Sequence, residues 1–244
     1  MTKDMNQRDF GTAPAALRGG ARESFGVPMM VLCGSYLGFG ALVRESDLAV
    51  WHGLFSTLTA WALPGQVALV ELYSVGAPLL VIASAVALTN ARLLPMAMTL
   101  MPTIRGANAP RWVYYVTAHV IAVTGWAAAM RVCPTLPSEQ RLAYFAGFSG
   151  TLWCGTMIAT AIGFALADAV PAYVTLGLVF LNPIYFMLVF ASDLRQRSRM
   201  LALVFGAVAG PPLYLWSPDW SLVVAGLTAG TLAFVLSSKY KARS

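Results

Sequence analysis

Charged residues are scarce in this sequence: Lys, Arg, Asp and Glu together make up 11% of its 244 residues. A water-soluble domain carries about 25%. So little charge cannot cover a globule in water, which excludes a soluble domain as the bulk of the chain. Cysteine is scarcer. Cys33, Cys133 and Cys154 are odd in number and far apart, and two of them lie inside apolar runs. That excludes a closed disulfide framework and a cysteine metal site, and leaves small packing residues. There are two histidines. His-Glu-x-x-His, Gly-x-Ser-x-Gly and a phosphate-binding Gly-rich loop with Lys are all missing, as is a buried carboxylate pair. An enzyme is therefore not expected, nor a metal or a cofactor.

Apolar residues are what the chain has in excess, at 58%, with a mean hydropathy of +0.69. The solvent for most of it is lipid. Residues 1–25 are polar, hold Lys3, Arg8, Arg18 and Arg22, and lack an apolar core ending in a cleavage site. They read as a cytoplasmic lead-in, flexible up to about Leu17, and not as a secretory signal. Residues 26–238 form the transmembrane domain and 239–244 a cytoplasmic tail. The net charge of +6 suggests no nucleic acid, because the basic residues occupy the gaps between apolar runs.

Lipid offers no hydrogen-bond partners, so each crossing is a helix of about 20 apolar residues. Eight such runs are predicted: Val27–Val43, Leu48–Val70, Val75–Met101, Trp112–Met130, Leu142–Ala167, Val170–Ala191, Met200–Leu215 and Trp220–Leu236. The expected fold is all-α, a polytopic transmembrane helix bundle of about eight spans. Glu71-Leu72-Tyr73-Ser74 between the second and third runs is either a tight turn or a re-entry point. With the N-terminus inside, twelve Lys and Arg fall inside, three outside (Arg44, Arg105, Arg111), and Arg92 within a span. That asymmetry places both ends in the cytoplasm. Trp51, Trp112, Trp216 and Trp220 fall near span ends, whereas Trp61, Trp126 and Trp153 lie deeper.

Gly34 with Gly38, Gly206 with Gly210, and Gly226 with Gly230 permit close approach of helices, within the chain or to a second membrane subunit. A weak self-similarity suggests a 4+4 internal repeat with interrupted helices. Cys33-Gly34-Ser35 leads to Pro64 in the second span, as Cys154-Gly155-Thr156 leads to Pro183 in the sixth.

Ionisable groups inside a bilayer are costly and therefore candidates for function. Arg92 lies about ten residues, roughly 15 Å of helix, before Pro102. No Asp or Glu sits at mid-span to pair with it. It binds an anion or caps backbone carbonyls. His119 in the fourth span is a proton carrier or a neutral interhelical link. Asn90 and Arg92 face one cavity only where the helix is unwound or wrapped by others. Pro64, Gly65 and Gln66 combine a lost donor, a relaxed backbone and a free amide, which makes a binding segment or a plain kink. Asn182-Pro183 is a similar break. Glu71 and Asp168 are at span ends and hydrated.

The order of these features resembles the AzlC family, the large subunit of branched-chain amino acid exporters associated with azaleucine resistance. The resemblance runs from about Glu23 to Phe234. It rests on Leu37-Gly38-Phe39-Gly40, Gly65-Gln66, Asn90-Ala91-Arg92 before Pro102, Val170-Pro171-Ala172, Leu176-Gly177-Leu178-Val179-Phe180 and Asp193-Leu194-Arg195-Gln196-Arg197. It implies a proton-driven exporter in the bacterial inner membrane that works with a small hydrophobic subunit of the AzlD type. Gln66, Asn90 and Arg92 would bind substrate. The family's Thr-Asp-Glu motif is replaced here by Thr117-Ala118-His119, so both acids are missing, and Val67 stands where an aromatic follows the Gln. His119 is then the candidate for proton coupling. Two other readings stay open: an exporter of a different small organic anion, and a non-transporting scaffold or accessory subunit.

Overall fold

The protein is described by a computed structural model over residues 8–105, 109–169, 171, 173–181, 184, 197–216 and 218–241. All regular structure among these residues is helical. The helices are α1 (Ala13–Ser24), α2 (Val27–Glu45), α3 (Val50–Thr59), α4 (Leu63–Ser74), α5 (Leu79–Asn90), α6 (Leu93–Ile104), α7 (Arg111–His119), α8 (Val123–Val132) and α9 (Ser138–Leu166). After them come α10 (residues 173–181), α11 (Arg197–Trp216) and α12 (Pro218–Lys241). The chain divides into two units at residue 182. In the second, α11 and α12 pack against each other.

Among the described residues, two unbroken helices are long and apolar enough to cross a bilayer, Val27–Glu45 and Ser138–Ala169 with its 3-10 extension. The pair α5–α6 meets the same test as one span bent by 42°. The predicted runs Leu48–Val70 and Trp112–Met130 are not single helices: each is split into two short ones. At 1.5 Å per residue, α3 and α4 are about 15 and 18 Å long, each roughly half a hydrocarbon core. The link between the second and third runs lies at Val75–Pro78 and is a tight turn, with α4 and α5 packed as a hairpin. Gly76, at φ +72, takes the left-handed conformation that this turn needs.

The first unit is organised around α9, which at 29 residues is about 43 Å long. Two helices dock on it through matched glycines. A Cβ on Gly20 of α1 would stand 2.1 Å from the Tyr144 carbonyl oxygen, and one on Gly147 would stand 2.0 Å from that of Leu17. The same arrangement recurs with α2, where Gly40 faces the Thr160 carbonyl at 2.1 Å and Gly163 faces that of Leu37 at 2.0 Å. In both pairs each glycine meets the carbonyl three residues before the other glycine. Only hydrogen fits there, so backbones touch and weak Cα–H···O contacts add to dispersion. Tyr36, Phe39, Val43, Phe145, Phe148 and Leu152 fill the space around these crossings.

The glycine pairs expected from sequence divide accordingly. Gly34 and Gly38 meet Leu181, Val179 and Thr175, whereas Gly206, Gly210, Gly226 and Gly230 have nothing within 4 Å. The interruptions of the first half are not repeated in α11 and α12, each of which is a single helix.

From Arg8 onward the lead-in is tied down, in contrast to the expected flexible segment. Thr12 caps α1 through the Ala15 amide. Arg8 pairs with Glu23 at 2.8 Å, and Glu23 accepts from the Tyr144 hydroxyl at 2.7 Å. Gln140 of α9 holds the arm from both sides, accepting from the Phe10 amide at 2.9 Å and donating to Asp9. That bond, with the Gly11 amide, holds the Asp9 carboxyl below its ordinary value of 3.8. A lowered pKa stabilises the arm above the ordinary value and ceases to do so as pH falls through the lowered one.

Two predictions follow from this packing. Gly163→Ala or Gly40→Ala forces a carbonyl aside and destabilises by about 1–3 kcal/mol. Gly177→Ala, with open space around it, stays within about 0.5 kcal/mol; thermal unfolding in detergent measures both. Protection of the Phe10 and Gly11 amides, relative to their intrinsic exchange rates at each pH, falls as pH is lowered below 3.8, and Asp9→Asn shows the lowered protection already at neutral pH.

Candidate functional site

Three segments are interrupted in mid-run, two of them with a local cause. The break at residues 60–62 precedes Pro64, which occupies the second position of α4, where its missing N–H leaves no helical bond unmade. The α5–α6 bend falls at Ala91, the residue whose carbonyl the Pro95 ring crowds. The α7–α8 break at residues 120–122 has neither Pro nor Gly. It lies in a β-branched stretch, Val120, Ile121, Val123 and Thr124, which disfavours a helix only slightly. Sequence reading missed that third break.

Gln66 lies in the first turn of α4, 2% exposed. Its Oε1 accepts from the Tyr36 hydroxyl at 2.7 Å, and its Nε2 donates to Ser56 Oγ and Thr57 Oγ1, both at 3.0 Å. Ser56 and Thr57 in turn donate to the Gly53 carbonyl. The amide thus spans the break, joining the last turn of α3 to the start of α4 and both to α2. One lone pair of Oε1 is all that stays open. The expectation that Gln66 hydrogen-bonds a substrate meets an amide already engaged by protein; its bonds position Tyr36.

The carbonyls at the end of α3 have no helical continuation to receive them. Trp153 of α9 donates its indole N–H to Thr57 O at 3.2 Å. His119, the last residue of α7, places Nε2 2.6 Å from Leu58 O. A carbonyl only accepts, so Nε2 carries the proton and Nδ1 is left as the basic nitrogen. The imidazole is exposed and meets the Trp153 ring edge-on at 6.4 Å. Trp61, inside the break, donates to Thr156 Oγ1 at 3.0 Å.

Asn90 and Arg92 flank the α5–α6 bend, the unwinding that sequence reading required for them to share a cavity. Asn90 presses on the other broken segment: a Cβ on Gly65 would lie 2.4 Å from its Oδ1. Gly65 is therefore the residue that lets Asn90 reach α4. Asn90 Oδ1 and Arg92 Nε are both buried with no hydrogen-bond partner. Arg92 lies within electrostatic range of Tyr36, and the two ion pairs among the described residues, Arg8–Glu23 and Arg44–Asp168, leave it out. No Asp or Glu occurs anywhere between Glu71 and Glu139.

Gln66, Asn90 and His119 thus meet at the α3–α4 discontinuity, and Arg92 stands beside Asn90 at the α5–α6 bend. Tyr36, Ser56, Thr57, Trp61 and Trp153 join them, unforeseen because side chains on continuous apolar helices carry no sequence mark of facing a break. Asn182 and Pro183 lie outside the described residues, as does most of the 193–197 loop.

A family model described as AzlC protein matches residues 28–170, more than half of the chain and all of the elements that build this site. The chain belongs to the AzlC family. The match ends before the motifs beyond Val170 that contributed to the resemblance. No curated protein and no solved structure matches the chain. AzlC membership and the apolar helices make it a membrane protein of a transport-associated family, one known to work with partner subunits.

Double-mutant analysis tests the Gln66 junction of this AzlC chain. Gln66→Leu strands the Tyr36 hydroxyl and costs about 1–3 kcal/mol of stability in detergent; Tyr36→Phe strands Oε1 at a similar cost. The double substitution is less damaging than the sum of the two.

Proposed function

We propose that this AzlC chain is the large subunit of a secondary exporter of branched-chain or related small amino acids. It works in the bacterial inner membrane with a small hydrophobic AzlD-like partner, drawing on the proton gradient. The observation that supports this reading best is the pair of unmatched atoms at the α5–α6 bend. Arg92 Nε is a cationic donor without an acceptor, and Asn90 Oδ1 an acceptor without a donor. They stand two residues apart across a helix break. An α-amino acid carries the complementary pair, a carboxylate for Arg92 and an ammonium for Asn90. A helix interrupted in the membrane is where polar backbone and polar cargo meet at low cost.

Gln66 serves this site through Tyr36, with Pro64 and Gly65 shaping the segment on which it sits. His119 takes the coupling role in place of the missing acids: its Nε2–H is held by Leu58 O, and its Nδ1 accepts a proton without loss of that bond. The bundle has eight spans under this reading. The runs α3–α4, α5–α6 and α7–α8 count as one broken span each, and the twelve-to-three division of basic residues supports cytoplasmic ends.

The test is efflux of labelled leucine, isoleucine and valine from cells that express the chain with and without the small hydrophobic subunit. Efflux depends on that subunit and collapses with the proton gradient. Arg92→Ala lowers it by about tenfold or more, and Arg92→Lys impairs it too, since a point charge does not replace a planar fork. Asn90→Ala raises the substrate concentration needed for half-maximal rate. Unchanged efflux in Arg92→Ala would remove Arg92 from the site. An intact complex that exports none of these solutes, and whose Arg92 and His119 variants lose only assembly, would leave the scaffold reading.

A further inference from the structure

We propose that the first turn of α8, with the hydroxyls of Thr124 and Ser149, is a binding subsite for a small desolvated monoanion, either a halide or a carboxylate group. It lies on the α7–α8 break, apart in sequence and in elements from the Arg92–Asn90 pair, and goes beyond the exporter reading.

The chain is extended at Ala122 (φ −117, ψ 160), whose side chain offers no cap to α8. Trp126 N–H bonds to Ala122 O, which leaves the N–H groups of Val123, Thr124 and Gly125 as first-turn donors without helical acceptors. This ten-residue helix also directs its positive end there. Two hydroxyls close the place off. Ser149 is 0% exposed and Thr124 is 3% exposed, and neither oxygen has a hydrogen-bond partner. That sets them apart from the helical hydroxyls of Ser35, Thr117, Thr151 and Thr160, each of which donates to the carbonyl four residues back. Ser149 has such a carbonyl behind it in α9, at Phe145, and does not use it. Its Oγ is turned toward α8 instead, 2.3 Å from where a Cβ on Gly125 would stand.

The unmatched groups are three amides and two hydroxyls, all able to donate, with no carboxylate on α5, α6, α7 or α8 to supply a cation ligand. An acceptor that takes several donors at once, in the field of a helix N-terminus, is an anion.

The full chain, purified in detergent with its partner subunit where that is required, is unfolded thermally in rising sodium chloride or sodium acetate. Sodium HEPES at equal ionic strength is the control, because that bulky sulfonate cannot enter a dry site. The expected result is a saturable rise in Tm with chloride, acetate or both, which names the source as halide, carboxylate or either. Measured in an Arg92→Ala background, which removes the carboxylate site proposed above, the rise persists, and Ser149→Ala and Thr124→Val each weaken its apparent affinity by about tenfold. No rise above the HEPES control would mean that the hydroxyls hold water alone and overturns the proposal. A rise that persists in both hydroxyl variants, or that disappears in Arg92→Ala instead, overturns it as well. Efflux remains a separate measurement, so either reading can fail without the other.

Discussion

The carbonyl oxygens of Thr57 and Leu58 sit at the end of a helix that stops inside an apolar segment, with no further helical turn to receive them. An unmatched backbone group in such a place costs several kcal/mol. The surrounding architecture answers that constraint. α9 brings Trp153 to one carbonyl, α7 brings His119 to the other, and Gln66 reaches back across the break to the hydroxyls of Ser56 and Thr57. Beside them α2 and α9 lie in backbone contact through Gly40 and Gly163, and α2 carries the Tyr36 that Gln66 holds. The glycine crossings and the broken helix are one design: the tight pair is the frame, and the interrupted segments are fitted against it.

Around that frame the polarity is one-sided. From Glu71 to Glu139 the chain holds no internal acid, while Arg92 and His119 both lie in that stretch. A buried guanidinium without a carboxylate partner keeps its charge only with an anion or with water and dipoles supplied to it. Under the exporter proposed above, a resident counterion would compete with an anionic cargo, and none pairs with Arg92 among the described residues. Thr117-Ala118-His119, whose last residue meets the α3 terminus, adds no fixed negative charge there.

The candidate residues were legible because polar groups in apolar runs are few. Gln66, Asn90, Arg92 and His119 each stand out against a lipid-facing background, and Pro64-Gly65 marks its break by ordinary backbone sterics. The breaks beside Arg92 and after His119 were not equally visible. The former has Pro95 four residues downstream of Ala91, a cause readable only once the bend is known. The latter has no breaker, and α7 ends at His119, whose ring meets the Leu58 carbonyl of α3. The N-terminal arm was misread as flexible because polar composition reports exposure to water, and not whether Gln140 and Tyr144 wait to receive it.

Sequence by itself determined the solvent, the helical class, the scarcity of charge at depth and the identity of the exceptional residues, since all four follow from composition and from the cost of polarity in lipid. Tertiary structure alone decided that three runs are broken, that Gln66 is engaged by Tyr36, Ser56 and Thr57, and that Asn90 and Arg92 keep unmatched atoms. The reason is physical: whether a polar group is satisfied depends on which distant helix faces it, and no local pattern carries that information.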